Sequence, residues 1–213
     1  MGRRPINPLN AYNQIAWIYD PLSRYFLGKQ FIRSKYSYLE RIRTGQTVLI
    51  LGGGTGENLP EIVRRIGAKG RVYFMDASTV MIRRAKRRFQ GGVPVNIQFI
   101  HSADFSQLST INPDVILTQY FLDVLSDKKL EILFDQLAEV GDKHTEWIFV
   151  DFYNIPAKRW LIRILIGLFN IVVDHPRRDL PDYAYFFDRW GWKEKETCSI
   201  MDGFIQAKVF RRF

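Results

Sequence analysis

Residues 48–59, Val-Leu-Ile-Leu-Gly-Gly-Gly-Thr-Gly-Glu-Asn-Leu, constrain this chain more than any other stretch. Four β-compatible apolar residues run into a glycine turn, and apolar residues return at helical spacing from Asn58 to Ile66. The pattern predicts strand, tight turn and helix. Glycine has no Cβ, so it takes positive φ and lets backbone N–H groups approach a ligand, while the helix N-terminus adds free donors. Such a turn is built for close approach.

Spacing narrows the ligand. Glycines 52, 54 and 56 give G-x-G-x-G, with Glu57 in the place of the third glycine of the dinucleotide fingerprint. No Gly-Lys-Ser/Thr follows, which excludes a P-loop. Arg71 to Asp76 reads as a second strand ending in a carboxylate, at the distance where an acid takes ribose hydroxyls. An ionised Asp76 offers the bidentate acceptor that two hydroxyls need. The alternative is that Asp76 caps the next helix, for which Ser78 and Thr79 are also cap candidates. A third strand, Val95 to Ile100, closes at His101-Ser102-Ala103-Asp104-Phe105. A carboxylate beside an aromatic there suits an adenine, one accepting from its amino group and the other packing on its ring.

Gly52 to Gly56, Asp76-Ala77-Ser78 and Ser102-Ala103-Asp104-Phe105 resemble the first three motifs of the class I S-adenosylmethionine-dependent methyltransferases. The likeness is to the small single-domain branch that includes quinone-biosynthesis and other small-molecule methyltransferases. It implies an α/β, Rossmann-like, doubly wound sheet of seven mostly parallel strands with one antiparallel, helices on both faces and helices ahead of the sheet. S-adenosyl-L-methionine, with S-adenosyl-L-homocysteine as product, would lie across the carboxyl ends of the first strands. The resemblance implies Gly52, Gly53 and Gly54 at the methionine part, Asp76 at the ribose and Asp104 with Phe105 at the adenine, with Ala77 as a further cofactor contact. One departure stands out: the family usually carries an acid two residues before the first glycine, helping to hold the cofactor's amino end, and this chain has Ile50. Ala16-Trp17-Ile18-Tyr19-Asp20 resembles the branch's amino-terminal segment that folds over the pocket, which makes Tyr19 a lid candidate. The alternative is that the aromatics between Tyr12 and Tyr38 only pack helices onto the core. The expected division is a helical lid over 1–44 and a methyltransferase domain over 45–213, forming one structural unit.

The fourth strand, Asp114 to Phe121, should end where the reacting group sits, which makes Gln119 a site candidate. The Asn/Asp-Pro-Pro-Tyr/Phe run of amino-methylating nucleic-acid enzymes is absent there, as is a Pro-Cys nucleophile. We expect Asp151, near the end of the fifth strand Trp147 to Tyr153, to open into the same cleft as Gln119. It would orient or deprotonate an acceptor hydroxyl, or else cap the next helix. His175, after an apolar helix over 157–173, is the other candidate base. No His/Cys cluster has metal-ligand spacing, so no metal is expected.

The formal charge of +9 on 213 residues raises the question of nucleic acid or an anionic surface. Much of it lies in Arg83, Arg84, Lys86, Arg87 and Arg88, read as a solvated helix face, so no DNA partner is expected and RNA stands as a rival acceptor. The broad apolar stripe of 157–173 suggests a substrate wall or a homodimer face, with peripheral membrane contact as a further use. A lone Cys198, no signal-peptide core in residues 1–10 and no apolar run long enough to span a bilayer lead us to expect a cytoplasmic protein. The expected reaction is methyl transfer by direct in-line displacement to a small, apolar or aromatic acceptor, the protein aligning the two. Its rivals are an RNA methyltransferase and a non-catalytic cofactor- or partner-binding protein of the same fold.

Overall fold

The computed structural model describes residues 28–163 and 179–212, so Tyr19, His175 and much of the apolar stripe lie outside the described residues. Seven strands form one sheet: β1 (Thr47–Leu51), β2 (Arg71–Asp76), β3 (Ile97–His101), β4 (Val115–Gln119), β5 (Glu146–Phe152), β6 (Trp192–Ile200) and β7 (Ile205–Arg212). Their spatial order is β3-β2-β1-β4-β5-β7-β6. The first five pair parallel, and β7 runs antiparallel to both its neighbours, so it is the one reversed strand. The chain winds outward from β1 to β3 and restarts at β4 beside β1. That reversal opens a crevice at the carboxyl ends of β1 and β4.

Helices α1 (Leu59–Ile66), α2 (Thr79–Lys86), α3 (Asp127–Val140) and α4 (Tyr183–Arg189) flank the sheet. Local chemistry starts three of them: the side chains of Ser78, Ser126 and Asp182 accept the N–H of Met81, Lys129 and Tyr185. On one face Leu59, Ile62, Ile66 and Ile82 bury against Val48, Ile50 and Phe74. On the other, Leu133, Phe134, Leu137 and Phe187 bury against Trp147 and Phe149. Each such side chain contributes about 1.5–3 kcal/mol through burial, and together they make a rigid floor for the crevice.

Strand ends depart from the periodicity at two places. β3 begins at Ile97, not Val95, and β4 stops at Gln119 because Tyr120 turns into the left-handed region with φ 53°.

A segment from the helical stretch 28–34 to the 3₁₀ turn Leu39–Arg41 lies along the sheet. Arg41 fixes one end, its Nε and Nη2 donating to Glu146 at 2.9 and 2.6 Å, with Arg211 as a second partner of that buried carboxylate. Burial alone would raise the Glu146 carboxyl, yet the two guanidiniums outweigh it and hold it below the usual range. At the other end Phe31 packs with Tyr120 and Phe152. The segment therefore reaches from the amino edge of β5 to the crevice. Among the described residues no helix is long and apolar enough to cross a membrane.

Candidate active site

A cleft of about 160 Å³ opens at the carboxyl ends of β1, β2 and β4, with room for far more than a trapped water. Its floor is the glycine turn after β1. Gly52, Gly54 and Gly56 have φ of 62°, 57° and 61°, a region that side chains strain to reach. A Cβ on Gly52 would lie 2.2 Å from the Phe121 ring, and one on Gly53 would lie 2.3 Å from that of Phe74. One on Gly54 would meet nothing within 4 Å. The first two glycines thus answer to packing, whereas Gly54 faces the open cleft.

The turn is tied to the next strand through Asp76. Its Oδ2 accepts the Gly54 N–H and its Oδ1 the Ser78 N–H, both at 2.8 Å. Each oxygen keeps a lone pair for a further donor. Burial pushes this carboxyl up from the usual aspartate range, against the two N–H bonds and His101, which pull it down. The cap of α2 is Ser78, not Asp76. Phe105, past the end of β3, is buried in the cleft wall with its ring edge-on to Phe121, centroids 6.5 Å apart.

The opposite end of the cleft is assembled from distant residues. Gln119 accepts from Asn58 Nδ2 at 2.9 Å and donates through Nε2 to the Lys35 carbonyl at 2.8 Å, which Asn58 Nδ2 also reaches at 2.8 Å. Ser34 gives its one hydroxyl proton to the Phe31 carbonyl at 2.7 Å, so the Tyr120 hydroxyl is the donor in its 2.5 Å contact with Ser34 Oγ. Burial pushes the Tyr120 hydroxyl up, and it stays protonated. Lys35 Nζ lies 3.2 Å from Glu57 Oε2, and the Tyr36 hydroxyl donates to the Glu57 carbonyl at 3.2 Å.

Residues 48–143 match the family described as methyltransferase domain. This stretch, β1 to α3, is the part of the chain that carries most of the cleft lining, and it is similar to that family. A 105-residue stretch is 33% identical to the ubiquinone/menaquinone biosynthesis C-methyltransferase UbiE of Coxiella burnetii, covering 49% of this chain and 39% of that protein. The chain thus spans less than half the length of the curated relatives it matches. Among solved structures, a SAM-dependent methyltransferase from Aquifex aeolicus superposes with a TM-score of 0.60 at 16% identity, over 98% of this chain and 100% of that one. Human N-acetylserotonin methyltransferase, in complex with SAM, superposes with a TM-score of 0.63 at 14% identity, over 97% of this chain and 60% of that one. These likenesses concern the fold.

Within the matched residues, Gly52, Gly53, Gly54, Asp76, Ala77, Phe105 and Gln119 all line one cleft. Asp104 does not join them. It is exposed, and its Oδ1 accepts the N–H of Ser106 at 3.0 Å and the Oγ at 2.6 Å, bonds that hold its carboxyl below the usual range. The expected pair is split, with the aromatic turned in and the acid turned out. Asp151 also departs from expectation. It is fully buried and outside the cleft lining, because the alternation of β5 turns it to the side of Phe149, beneath Tyr183. The Phe152 N–H donates to its Oδ1 at 2.9 Å, while burial, with Asp123 adding its charge, pushes its carboxyl well above the usual range. It caps no helix either, since Ile155 begins the 3₁₀ turn that follows.

Arg88, read from the sequence as part of a solvated face, donates through Nε to the Thr55 carbonyl at 2.8 Å and braces the glycine turn. Phe31, Lys35, Asn58 and Tyr120 in the cleft wall, and Arg88 behind the turn, are no part of the sequence expectation. Only Asn58 carried a local signal, as a capping-type residue ahead of α1.

Proposed function

We propose that the domain binds S-adenosyl-L-methionine in this cleft and transfers its methyl group to a small apolar or aromatic acceptor. The observation that carries the reading is Gly54: it faces open space at positive φ while its N–H is held by Asp76, which keeps acceptor capacity to spare. A chain that needed only a tight turn would have packed that space.

The residues fit the cofactor along its length. Phe105 offers an apolar face for an adenine, Asp76 takes two ribose hydroxyls beside Ala77, and Gly52 to Gly54 let the chain beyond pass close to the backbone. When bound, S-adenosyl-L-methionine supplies an activated methyl group, so the protein's part is alignment and exclusion of water. Gln119, locked by Asn58 and the Lys35 backbone, fixes the reacting end at β4. Phe31, Tyr120, Phe121 and Leu125 give that end an apolar wall suited to an aromatic acceptor. Kinship with a protein named as a ubiquinone/menaquinone biosynthesis C-methyltransferase supports the same acceptor class. Asp151, enclosed away from the cleft, has no part in this reading, and Tyr120, held protonated, is not its base.

The test is release of S-adenosylhomocysteine from S-adenosylmethionine in the presence of quinols, phenols or RNA, each added alone. Release that depends on an aromatic small molecule supports the proposal. Dependence on RNA alone transfers it to the nucleic-acid class, and tight cofactor binding without turnover on any acceptor leaves a binding protein.

A further inference from the structure

The aminoacyl end of S-adenosylmethionine is a zwitterion, an ammonium and a carboxylate on one carbon. A partly enclosed, mainly apolar cleft accepts such a group only where each charge meets a partner. Among the described residues, four charged side chains line the cleft: Asp76, Glu57, Lys35 and Lys129. Asp76 stands at the β2 end, where its oxygens already hold Gly54 and Ser78. Ile50 lines the cleft at the position where the family carries its acid, and it is apolar and 4% exposed. Lys129 is exposed on the first turn of α3. What remains among them is one carboxylate and one ammonium that pair at the β1–β4 end: Glu57 and Lys35, 15% and 11% exposed for Lys35 and Glu57 respectively.

We propose that the Lys35–Glu57 ion pair is the recognition site for the aminoacyl zwitterion, replacing the acid missing at position 50. This rests on the cofactor reading above. Without ligand the two side chains are paired at 3.2 Å. On binding the pair opens: Glu57 accepts from the α-ammonium and Lys35 donates to the α-carboxylate, so no charge is stranded in either state. The backbone is suited to this exchange. The Lys35 carbonyl is pinned by Asn58 and Gln119, and the Tyr36 hydroxyl holds the Glu57 carbonyl, so only the flexible side chains need to swing. A ligand with neither charge leaves the pair closed and gains nothing from it. A ligand with an ammonium alone takes Glu57 and strands Lys35.

The experiment is calorimetric titration of wild type, Glu57→Gln and Lys35→Met with S-adenosylhomocysteine and with methylthioadenosine, which keeps the adenosine and sulfur but lacks the aminoacyl chain. Each variant should lose about ten- to a hundredfold in affinity for S-adenosylhomocysteine, the range of one charge-assisted hydrogen bond, and none for methylthioadenosine. Equal loss for both ligands would mean the pair only supports the loop, and no loss for either would mean the zwitterion sits elsewhere; both outcomes overturn the proposal. If the wild type binds neither ligand, the cofactor reading itself falls and takes this inference with it. Should Glu57→Gln fail to fold, Lys35→Met gives the same ratio independently.

Discussion

The two ends of the cleft are built in different ways. At the β2–β3 end, Asp76 is bonded to Gly54 and Ser78 by backbone N–H groups, and Phe105 follows the next strand directly. At the β4 end, the side chains of Asn58, Gln119, Ser34 and Tyr120 and the Lys35 carbonyl meet across separations of up to 86 residues. A backbone-bonded site survives many side-chain changes and reads the invariant part of a ligand. A side-chain assembly can be retuned one residue at a time, which suits the end that must admit an acceptor.

The sharpest way to break that comparison lies in the shared floor. Gly53→Ala drives a methyl into the Phe74 ring, fully buried beneath the turn, and should cost about 1–3 kcal/mol of stability by overpacking. Gly54→Ala meets no protein atom; it should cost about 1–2 kcal/mol for positive φ, yet its methyl enters the cleft and should weaken S-adenosylhomocysteine more than Gly53→Ala does. Urea denaturation beside calorimetry separates the two. Comparable affinity losses at comparable stability would show that Gly54 does not face the ligand.

Asp76→Asn tests the β2 end. Replacing its charge should lower affinity about ten- to a hundredfold, and the amide also meets one of the two N–H donors with a donor of its own. The pH dependence has a definite sign. Ionised Asp76 is the better acceptor for ribose hydroxyls, and burial has raised its carboxyl, so affinity is flat at high pH and falls on acidification sooner than for an ordinary aspartate. Asp76→Asn should abolish that slope, measured as S-adenosylhomocysteine affinity against pH. A slope that persists in the variant would assign it to another group.

The same contrast explains what could be read in advance. The meeting of Gly52 to Gly54, Asp76 and Phe105 at one cleft is legible because turn, strand end and side chain are adjacent in sequence, so a spacing carries the geometry. Asp104 falls outside the cleft lining because the residue beside a strand end has two ways to face, and Ser106 offers it a local partner. Asp151 was misread for a related reason: β5 is apolar on both faces, so alternation gave no sign of which face its acid would take. Lys35 and Tyr120 had no local signature at all. Their role exists only once β4 lies beside β1 and Phe31 and Lys35 come to the cleft wall, contacts that no window of sequence contains.

The smallest effect expected is at that long-range end. Tyr120→Phe keeps the ring against Phe31 and Phe152, with centroids at 4.5 and 4.7 Å, and removes only the hydrogen bond to Ser34. Ser34 retains the Phe31 carbonyl as its acceptor, so one buried acceptor site is left unfilled and no donor is stranded. The cost should be about 1 kcal/mol. It should appear locally, as faster hydrogen exchange and proteolysis within 28–36 by about fivefold, while β2 and β3 stay as protected as in wild type. If exchange rises equally across the sheet, segment 28–36 and the β4 end belong to one cooperative unit with the β2 end, and the independence of the two ends is lost.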